Sequence, residues 1–433
     1  MTARHRRKRR LNPRHALAIK DRRVLRVVAF CLLGLFTFGF TTAATAYFNL
    51  ESNMQKLDLA DYIDDGDRAT PQSDDPEDPH AGKAINLLIV GSDVRDGENA
   101  KLGGNAEGMR SDTTMIMHVA ADRSRAEVIS IPRDSMVAIP SCNMGDGQHS
   151  YPQEAAMFNS AFSIGGDTGD TNAAAACTVK TIEENTGLRI DDVVVMDFQS
   201  VIVTVDALGG VPICIPQDID SPKAKLKLSA GEQTLDGKEA LGYVRARTGI
   251  GLGNGSDTDR IERQKHLMGA VVRHVLSQNL LTDSPALYRM LDGVTENIVT
   301  TMSIPGLVGL ANSFQDVPAQ NVMFFTVPWV EYPLDPNRIQ WAPEADALWE
   351  ALKNDEPIME DELEDVESDE SKDDKDSGEK DSDKDSQSDD TDADEGDTGG
   401  GPNPTHTGVP DVPSDEPDGD TWNPLTGADE YCE

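Results

Sequence analysis

The feature that most restricts this 433-residue chain is VVAFCLLGLFTFGFTTAATAYF, residues 27–48, which holds no charged side chain. A run of this length crosses the roughly 30 Å hydrocarbon core of a bilayer as a helix. Residues 1–26 ahead of it carry 11 Lys/Arg and one acid. Basic flanks stay on the cytoplasmic side of a span. The expected topology therefore places 1–26 in the cytoplasm, 27–48 in the lipid bilayer and everything after residue 50 outside the cell. Ala44-Thr45-Ala46 resembles a signal-peptidase site, so cleavage is the rival reading. The length of the apolar run favours a retained anchor. Beside such a span the basic head reads as a topology signal, and no nucleic-acid partner is expected.

Charge is distributed unevenly along the rest. The net charge is −38, and residues 355–433 alone contribute 31 Asp/Glu against 4 Lys. A segment so poor in apolar side chains cannot offset its ordering entropy, and 354–433 is expected to be an acidic disordered tail. Residues 49–83, rich in Asp, Pro and Glu, read as an extracellular stalk. One domain, 84–353, lies between. INLLIVGSD (85–93), TTMIMHVA (113–120), AEVISIPRD (126–134) and NVMFFTVP (321–328) have the short apolar runs of buried strands. AAACTVKTIEENTG reads as a helix closed by Gly187, and DDVVVMDFQSVIVTVDALGGV as a strand followed by a helix ending at Gly209-Gly210. Alternating strands and helices imply an α/β fold, a layered α/β/α arrangement around a central mixed β-sheet.

Cys31 falls in the span. Cys142, Cys177, Cys214 and Cys432 would lie outside, where disulfides persist, and four thiols allow three pairings. A Cys142–Cys177 bridge is expected, closing a loop that contains a Gly-rich polar stretch. Cys214, in the apolar GGVPICIP, reads as a buried thiol. No cysteine spacing suggests a metal site.

Against the acidic background, YVRARTGIGLGNGSDTDRIERQ (243–264) gathers Arg245, Arg247, Arg260 and Arg263. A helix is expected from near Asp257. At about 100° per residue, Ile261, Met268, Val271, Val272 and Val275 share one side. Asp257, Arg260 and Gln264 fall on that same apolar side, and Glu262, His266 and Arg273 on the opposite one. An Asp257–Arg260 pair at the helix start would account for one arginine. It leaves Arg245 and Arg247 without a neighbouring acid, and an anionic ligand is the better account. Upstream, Asp93 and Arg95 follow the first strand, Arg110 and Asp112 open the second, and Arg133 and Asp134 close the third. Ligands of open α/β sheets gather beyond the carboxyl ends of strands. Arginine forks match phosphate oxygens two at a time, and one or two carboxylates sharing an ion with phosphates is the usual way to hold Mg²⁺. The composite is a pyrophosphate site with a metal.

Other chemistries are poorly supplied. The chain contains no G-x-x-x-x-G-K-[ST] loop and no H-E-x-x-H zinc motif. Serines occur in GSD and RSD without a histidine nearby to serve as base. His118, inside a strand-like run, reads as structural, and Phe158 and Phe162 as core.

NLLIVGSDVR, RSDTTMIMHV, VISIPRD, FNSAFSIGG, VVVMDFQSVIVTVDALGGV, AGEQTLDGKEALGYVRAR and DTDRIERQ, in this order, resemble the LytR-CpsA-Psr family of cell-wall glycopolymer ligases, in its actinobacterial form. The resemblance covers most of residues 84–281. It implies an enzyme that takes a glycopolymer from a polyprenyl-pyrophosphate carrier and joins it to peptidoglycan through a phosphodiester. By the same resemblance, Asp93 and Asp112 are the ligands of Mg²⁺ (or Mn²⁺). Arg95, Arg110, Arg133, Arg245, Arg247, Arg260 and Gln264 bind the pyrophosphate. Asp257, Arg247 and Arg110 are the catalytic candidates, with Asp257 as general base. Arg263 serves either the pocket or the surface. Met157 departs from the family, whose members often carry a basic residue there. A lipid-pyrophosphate hydrolase and a non-catalytic envelope regulatory or binding protein are the alternative functions.

Overall fold

The computed structural model describes residues 14–63, 82–93, 109–253, 257–277 and 284–358. The first part of the basic head and the acidic segment beyond 358 lie outside these. Helix α1 (Arg14–Asn53) is continuous. Its part Val24–Asn53 is long and apolar enough to cross a membrane, with an 18-residue window of mean hydropathy 2.0 that is entirely unburied. Phe30, Phe36, Phe38 and Phe40 project outward from it, as a helix solvated by lipid requires.

The helix does not end where its apolar run ends. Leu50, with Met54 just beyond the helix, packs against Tyr288, Leu291, Ile304 and Leu307, and Asn53 Nδ2 donates to Asp292 at 3.1 Å. Strand β1 (Gln55–Lys56) follows and joins the edge of the main sheet. The Leu57 N–H then donates to the Thr300 carbonyl at 2.8 Å. The Asp58 N–H donates to Asn172 at 2.9 Å, Asn143 donates to the Asp61 carbonyl at 2.9 Å, and the Tyr62 hydroxyl bonds to Asp170. Residues 49–63, expected as a stalk, are thus part of the domain. A two-residue strand is too short to show periodicity, and its acidic surroundings disguised it.

The central sheet has seven strands in the order β1, β12 (Val299–Thr300), β7 (Asp192–Met196), β2 (Ile85–Ser92), β3 (Ser111–Val119), β4 (Ala126–Ser130) and β13 (Val322–Thr326). β2, β3 and β4 are antiparallel, as are β12 and β7, while β7–β2, β4–β13 and β1–β12 are parallel. The sheet is mixed, as expected, and every residue of β4 is buried. Four two-stranded sheets surround it: β5 (Met136–Ile139) with β6 (Gln153–Met157), β8 (Val211–Ile215) with β11 (Gly231–Leu235), β9 (Ile219–Ser221) with β10 (Leu226–Leu228), and β14 (Trp329–Glu331) with β15 (Ile339–Trp341). The remaining helices are α2 (Ser160–Gly165), α3 (Thr171–Thr186), α4 (Phe198–Ala207), α5 (Gly237–Arg245), α6 (Asp257–Ser277), α7 (Ser284–Asn297), α8 (Ile304–Asp316) and α9 (Glu344–Asn354).

Local chemistry sets the helix limits. Asp170 accepts from the Asn172 N–H at the start of α3, and Gly187 ends it at φ 70°. Asp197 with Ser200, and Asp236 with Glu239, form capping boxes that start α4 and α5. α2 packs closely on α3, because a Cβ on Gly165 would stand 2.3 Å from the Ala173 carbonyl oxygen. His118 is structural: it is fully buried, with Nδ1 2.7 Å from Asn86 and Nε2 3.2 Å from Asp355. Phe158 and Phe162 are core.

Helix α6 lies between two apolar clusters. Met268 and Val272 pack with β2, β3, β4 and β13, whereas Leu267, Ala270, Val271 and Val275 pack with β8, β11 and α5. Enclosure on both sides corrects the helical-wheel reading. His266, assigned to the outer face, is buried, as are Arg263 and Lys265.

Cys142 and Cys177 form the expected disulfide, with a Cα–Cα distance of 5.3 Å. Cys214 is also disulfide-bonded, which overturns its reading as a free thiol. The cysteine left over, Cys432, lies outside the described residues. The Cys142–Cys177 bridge closes a loop with a sequence separation of 35. The chain-entropy estimate for such a loop is about 3–4 kcal/mol. Replacing both cysteines by serine is expected to lower unfolding free energy by about that amount, measured by urea denaturation followed through tryptophan fluorescence.

Candidate active site

The site forms where the ends of β2, β4 and α5 meet the start of β3 and of α6. Pairing between β2 and β3 shifts register at Gly91/Ser92, an irregularity of the kind that re-aims side chains. Just beyond it the Asp93 N–H donates to the Arg110 carbonyl at 2.9 Å, and the Arg110 N–H donates to Asp93 Oδ1 at 3.0 Å. This double clip holds the end of one strand against the start of the next. Arg95, between them, lies outside the described residues.

From β3, Asp112 meets Arg133, whose Nη1 donates to Asp112 Oδ1 at 3.0 Å. The Arg133 Nε donates to Asp134 at 3.3 Å, and Arg338 donates to the other Asp134 oxygen at 3.2 Å. Arg133 is thus held by two acids while still lining the cleft. Arg245 is the last residue of α5, and its guanidinium carbon stands 4.0 Å over the Phe198 ring, a cation–π contact. Ala246 turns extended, with φ −62° and ψ 127°, and Arg247 follows. The chain then turns through Gly249, Gly251 and Gly253, all at positive φ. A Cβ would stand 2.3 Å from the Asp220 carbonyl oxygen at Gly249 and 2.1 Å from that of Asp218 at Gly251. Only glycine meets both demands, so TGIGLG fixes the chain's exit from Arg247. Arg260, buried in the first turn of α6, reaches the Asp112 carbonyl at 3.4 Å.

Asp93, Arg110, Asp112, Arg133, Arg245, Arg247, Arg260 and Gln264 line one open cleft of about 400 Å³. The arginines pass from buried Arg260, through half-buried Arg133 and Arg245, to exposed Arg110 and Arg247. Five guanidinium groups face three carboxylates there, those of Asp93, Asp112 and Asp197, so this pocket of an acidic chain is locally positive. Met196, Phe198, Val201, Leu241 and Val244 make an apolar wall. Asp257 begins α6, but its side chain lies outside the described residues. Among the described residues no three His, Cys, Asp or Glu group as a metal cage. Asp93 and Asp112 in one cleft suit a divalent ion whose remaining ligands are phosphate oxygens and water.

Asn159, Asp197 and Phe198 also line the cleft and were not singled out as site residues from the sequence. For Asp197 the D-x-x-S capping box was the available signal, because it places the residue at a strand end and a helix start. Arg263 belongs to neither alternative left open for it. It is 8% exposed, does not line the cleft, and donates to the Ala246 carbonyl at 2.5 Å. A second polar tie between α5 and α6 joins the Tyr243 hydroxyl to His266 Nδ1 at 2.9 Å.

A family model described as LytR_cpsA_psr family matches residues 46–354. The cell wall biosynthesis protein LcpA of Corynebacterium glutamicum is 29% identical over 321 residues, covering 68% of this chain and 60% of that protein. TagT of Bacillus subtilis, a polyisoprenyl-teichoic acid–peptidoglycan teichoic acid transferase, is 30% identical over 233 residues, covering 52% of this chain and 63% of that protein. The chain thus spans less than two thirds of these relatives' length. A Streptococcus agalactiae protein of known crystal structure shares the fold, with a TM-score of 0.50 at 18% identity over 63% of this chain and 88% of that one.

Burial, reinforced by the charge of Arg273, holds the His266 pKa down at about 4, against 6.5 for the free side chain. The unfolded chain therefore binds the extra proton first. Stability from this group is complete above about pH 6.5 and is lost as pH falls towards 4, by about 3 kcal/mol in all. Burial lowers the His118 pKa too, with the same sign. His266→Gln is expected to flatten, without abolishing, the fall in unfolding free energy between pH 6.5 and 4, measured by denaturant titration at each pH.

Proposed function

We propose that this chain, which belongs to the LytR-CpsA-Psr family, is a membrane-anchored phosphotransferase of the cell envelope. Its donor is a glycopolymer on a polyprenyl pyrophosphate, and its acceptor is a peptidoglycan hydroxyl. The observation that carries this reading is the convergence of Arg110, Arg133, Arg245, Arg247 and Arg260 with Asp93 and Asp112 on one cleft that also has an apolar wall. A pyrophosphate ester of a lipid needs both halves. The similarity to TagT, a polyisoprenyl-teichoic acid–peptidoglycan teichoic acid transferase, supports the choice of donor and acceptor classes.

In the proposed reaction the acceptor hydroxyl oxygen attacks the phosphorus that bears the sugar. The bond from that phosphorus to the bridging oxygen breaks, and polyprenyl phosphate leaves with the bond pair. Asp257 takes the hydroxyl proton. Phosphoryl transfer asks for positioning and for neutralised oxygens more than for covalent help. Arg245 and Arg247 approach the diphosphate from the α5 end, Arg260 and Gln264 from α6, and Arg110 and Arg133 from the sheet; Arg95 is assigned to the same task. Arg133 is held in place by Asp112 and Asp134. Asp93 and Asp112 would hold Mg²⁺ (or Mn²⁺), which when bound neutralises phosphate charge. The apolar wall accepts the first isoprene units. The N-terminus lies in the cytoplasm and the domain outside, close to the leaflet that carries the lipid.

Removing one preorganised donor to a reacting oxygen typically costs about 10²–10³ in rate. Arg247→Ala is expected to lower transfer by that order, and Asp93→Asn, which takes one of the two carboxylates from the proposed metal site, to lower it as well, both with the circular dichroism spectrum unchanged. The assay uses purified protein, lipid-pyrophosphate glycopolymer and peptidoglycan, and follows the sugar–phosphate–peptidoglycan product. Unchanged transfer in both variants counts against the site. Release of free sugar phosphate without a linked product would make the protein a hydrolase.

A further inference from the structure

We infer that Arg263 is a positioning residue: its buried guanidinium sets the direction of Arg247 relative to Arg245 by holding the Ala246 carbonyl between them. The inference rests on the cleft being a pyrophosphate site. Ala246 is the residue at which the chain leaves α5, and its carbonyl is one of the acceptors a helix end leaves without an intrahelical donor. It is buried, so water does not supply the donor. Arg263, from the second turn of α6, does so at 2.5 Å.

The consequence follows from where Ala246 sits. Arg245 ends a helix and Arg247 follows an extended residue, and both line the cleft. α5 sets the direction of Arg245, so the direction of Arg247 relative to it depends on the backbone torsions at residue 246. The glycine turn fixes the chain beyond Arg247, and α5 fixes it before Arg245. Between them the peptide at Ala246 is held from the side by Arg263. Fork-to-phosphate hydrogen bonds need both donors within about 0.5 Å of their places. Arg263 therefore acts on the ligand through Arg247 and its placement against Arg245, without lining the cleft itself.

The tie between Tyr243 and His266 joins the same two helices one turn earlier. It supplies an internal control, since it secures α5 to α6 without bonding to the peptide between the arginines, although Tyr243 also lies near enough to Arg263 to act on its charge.

The test measures binding of farnesyl pyrophosphate to the full-length protein in detergent, by calorimetry, together with the thermal midpoint. Arg263→Met is expected to weaken binding about tenfold or more, the usual scale for losing a partner that orients a ligating group. Arg263→Lys is expected to recover much of the loss. Tyr243→Phe is expected to lower the midpoint and leave the affinity alone. If Arg263→Met does not fold, Arg263→Gln takes its place, being two atoms too short to reach the carbonyl. Wild-type affinity in a folded Arg263→Met or Arg263→Gln protein, with binding lost in Arg247→Ala, overturns the positioning role and leaves the pyrophosphate reading standing. Equal loss of affinity in Tyr243→Phe overturns it too, because general loosening then explains the effect. No binding by the wild type, or binding unaffected by Arg247→Ala, overturns the pyrophosphate reading and this inference with it.

Discussion

Guanidinium groups repel one another, and five of them share this cleft. At short range in a partly dry pocket that repulsion amounts to several kcal/mol per pair before screening. The side chains would splay into solvent unless the scaffold held them. Each therefore arrives from its own fixed point: a clipped strand junction, a strand end braced by two acids, a helix terminus, a glycine turn, and the first turn of a buried helix. Asp112 and Asp134 lower the cost for Arg133, and the face of Phe198 does so for Arg245. An anion entering such a site would relieve repulsion already present, which is the physical basis of the phosphate role proposed for it.

Two layers meet at α6, and that arrangement decides what the first layer can do. The main sheet supplies Asp93, Arg110, Asp112 and Arg133. The smaller layer, with β8, β11 and α5, supplies Arg245 and Arg247. α6 contributes Arg260 and Gln264 while packing against both. The cleft is the seam between these layers, with arginines arriving from both and an apolar wall formed mostly by α4 and α5.

Much of this was legible in the chain. Strands such as INLLIVGSD and helix ends such as Gly187 depend on neighbouring residues, and short-range patterns reported them well. The recurrence of Arg with Asp at strand ends marked most of the cleft's polar lining. What escaped depends on contacts between distant segments. His266 and Arg263 looked like surface or undecided positions because a helical wheel knows one buried face, whereas α6 has two. Cys214 looked like a free thiol because disulfide pairing is a matter of space. Residues 49–63 looked like a tether because a strand of two residues takes its identity from its partner, β12. Asn159 and Phe198 were visible as parts of blocks and not as lining, since the approach of Phe198 to Arg245 and of the Asn159 N–H to the Arg133 carbonyl depends on how α4 and α2 dock.

The long apolar helix runs unbroken into the domain, and its end is wedged against α7 and α8 while Gln55 and Lys56 just beyond it extend the sheet. A shaft joined this way works differently from a rope. Set in a bilayer, such a rod would hold the head it carries at a height limited by the tilt of the rod itself. A partner lying farther out would then have to come closer, and the reach of the head would follow from the length of that rod.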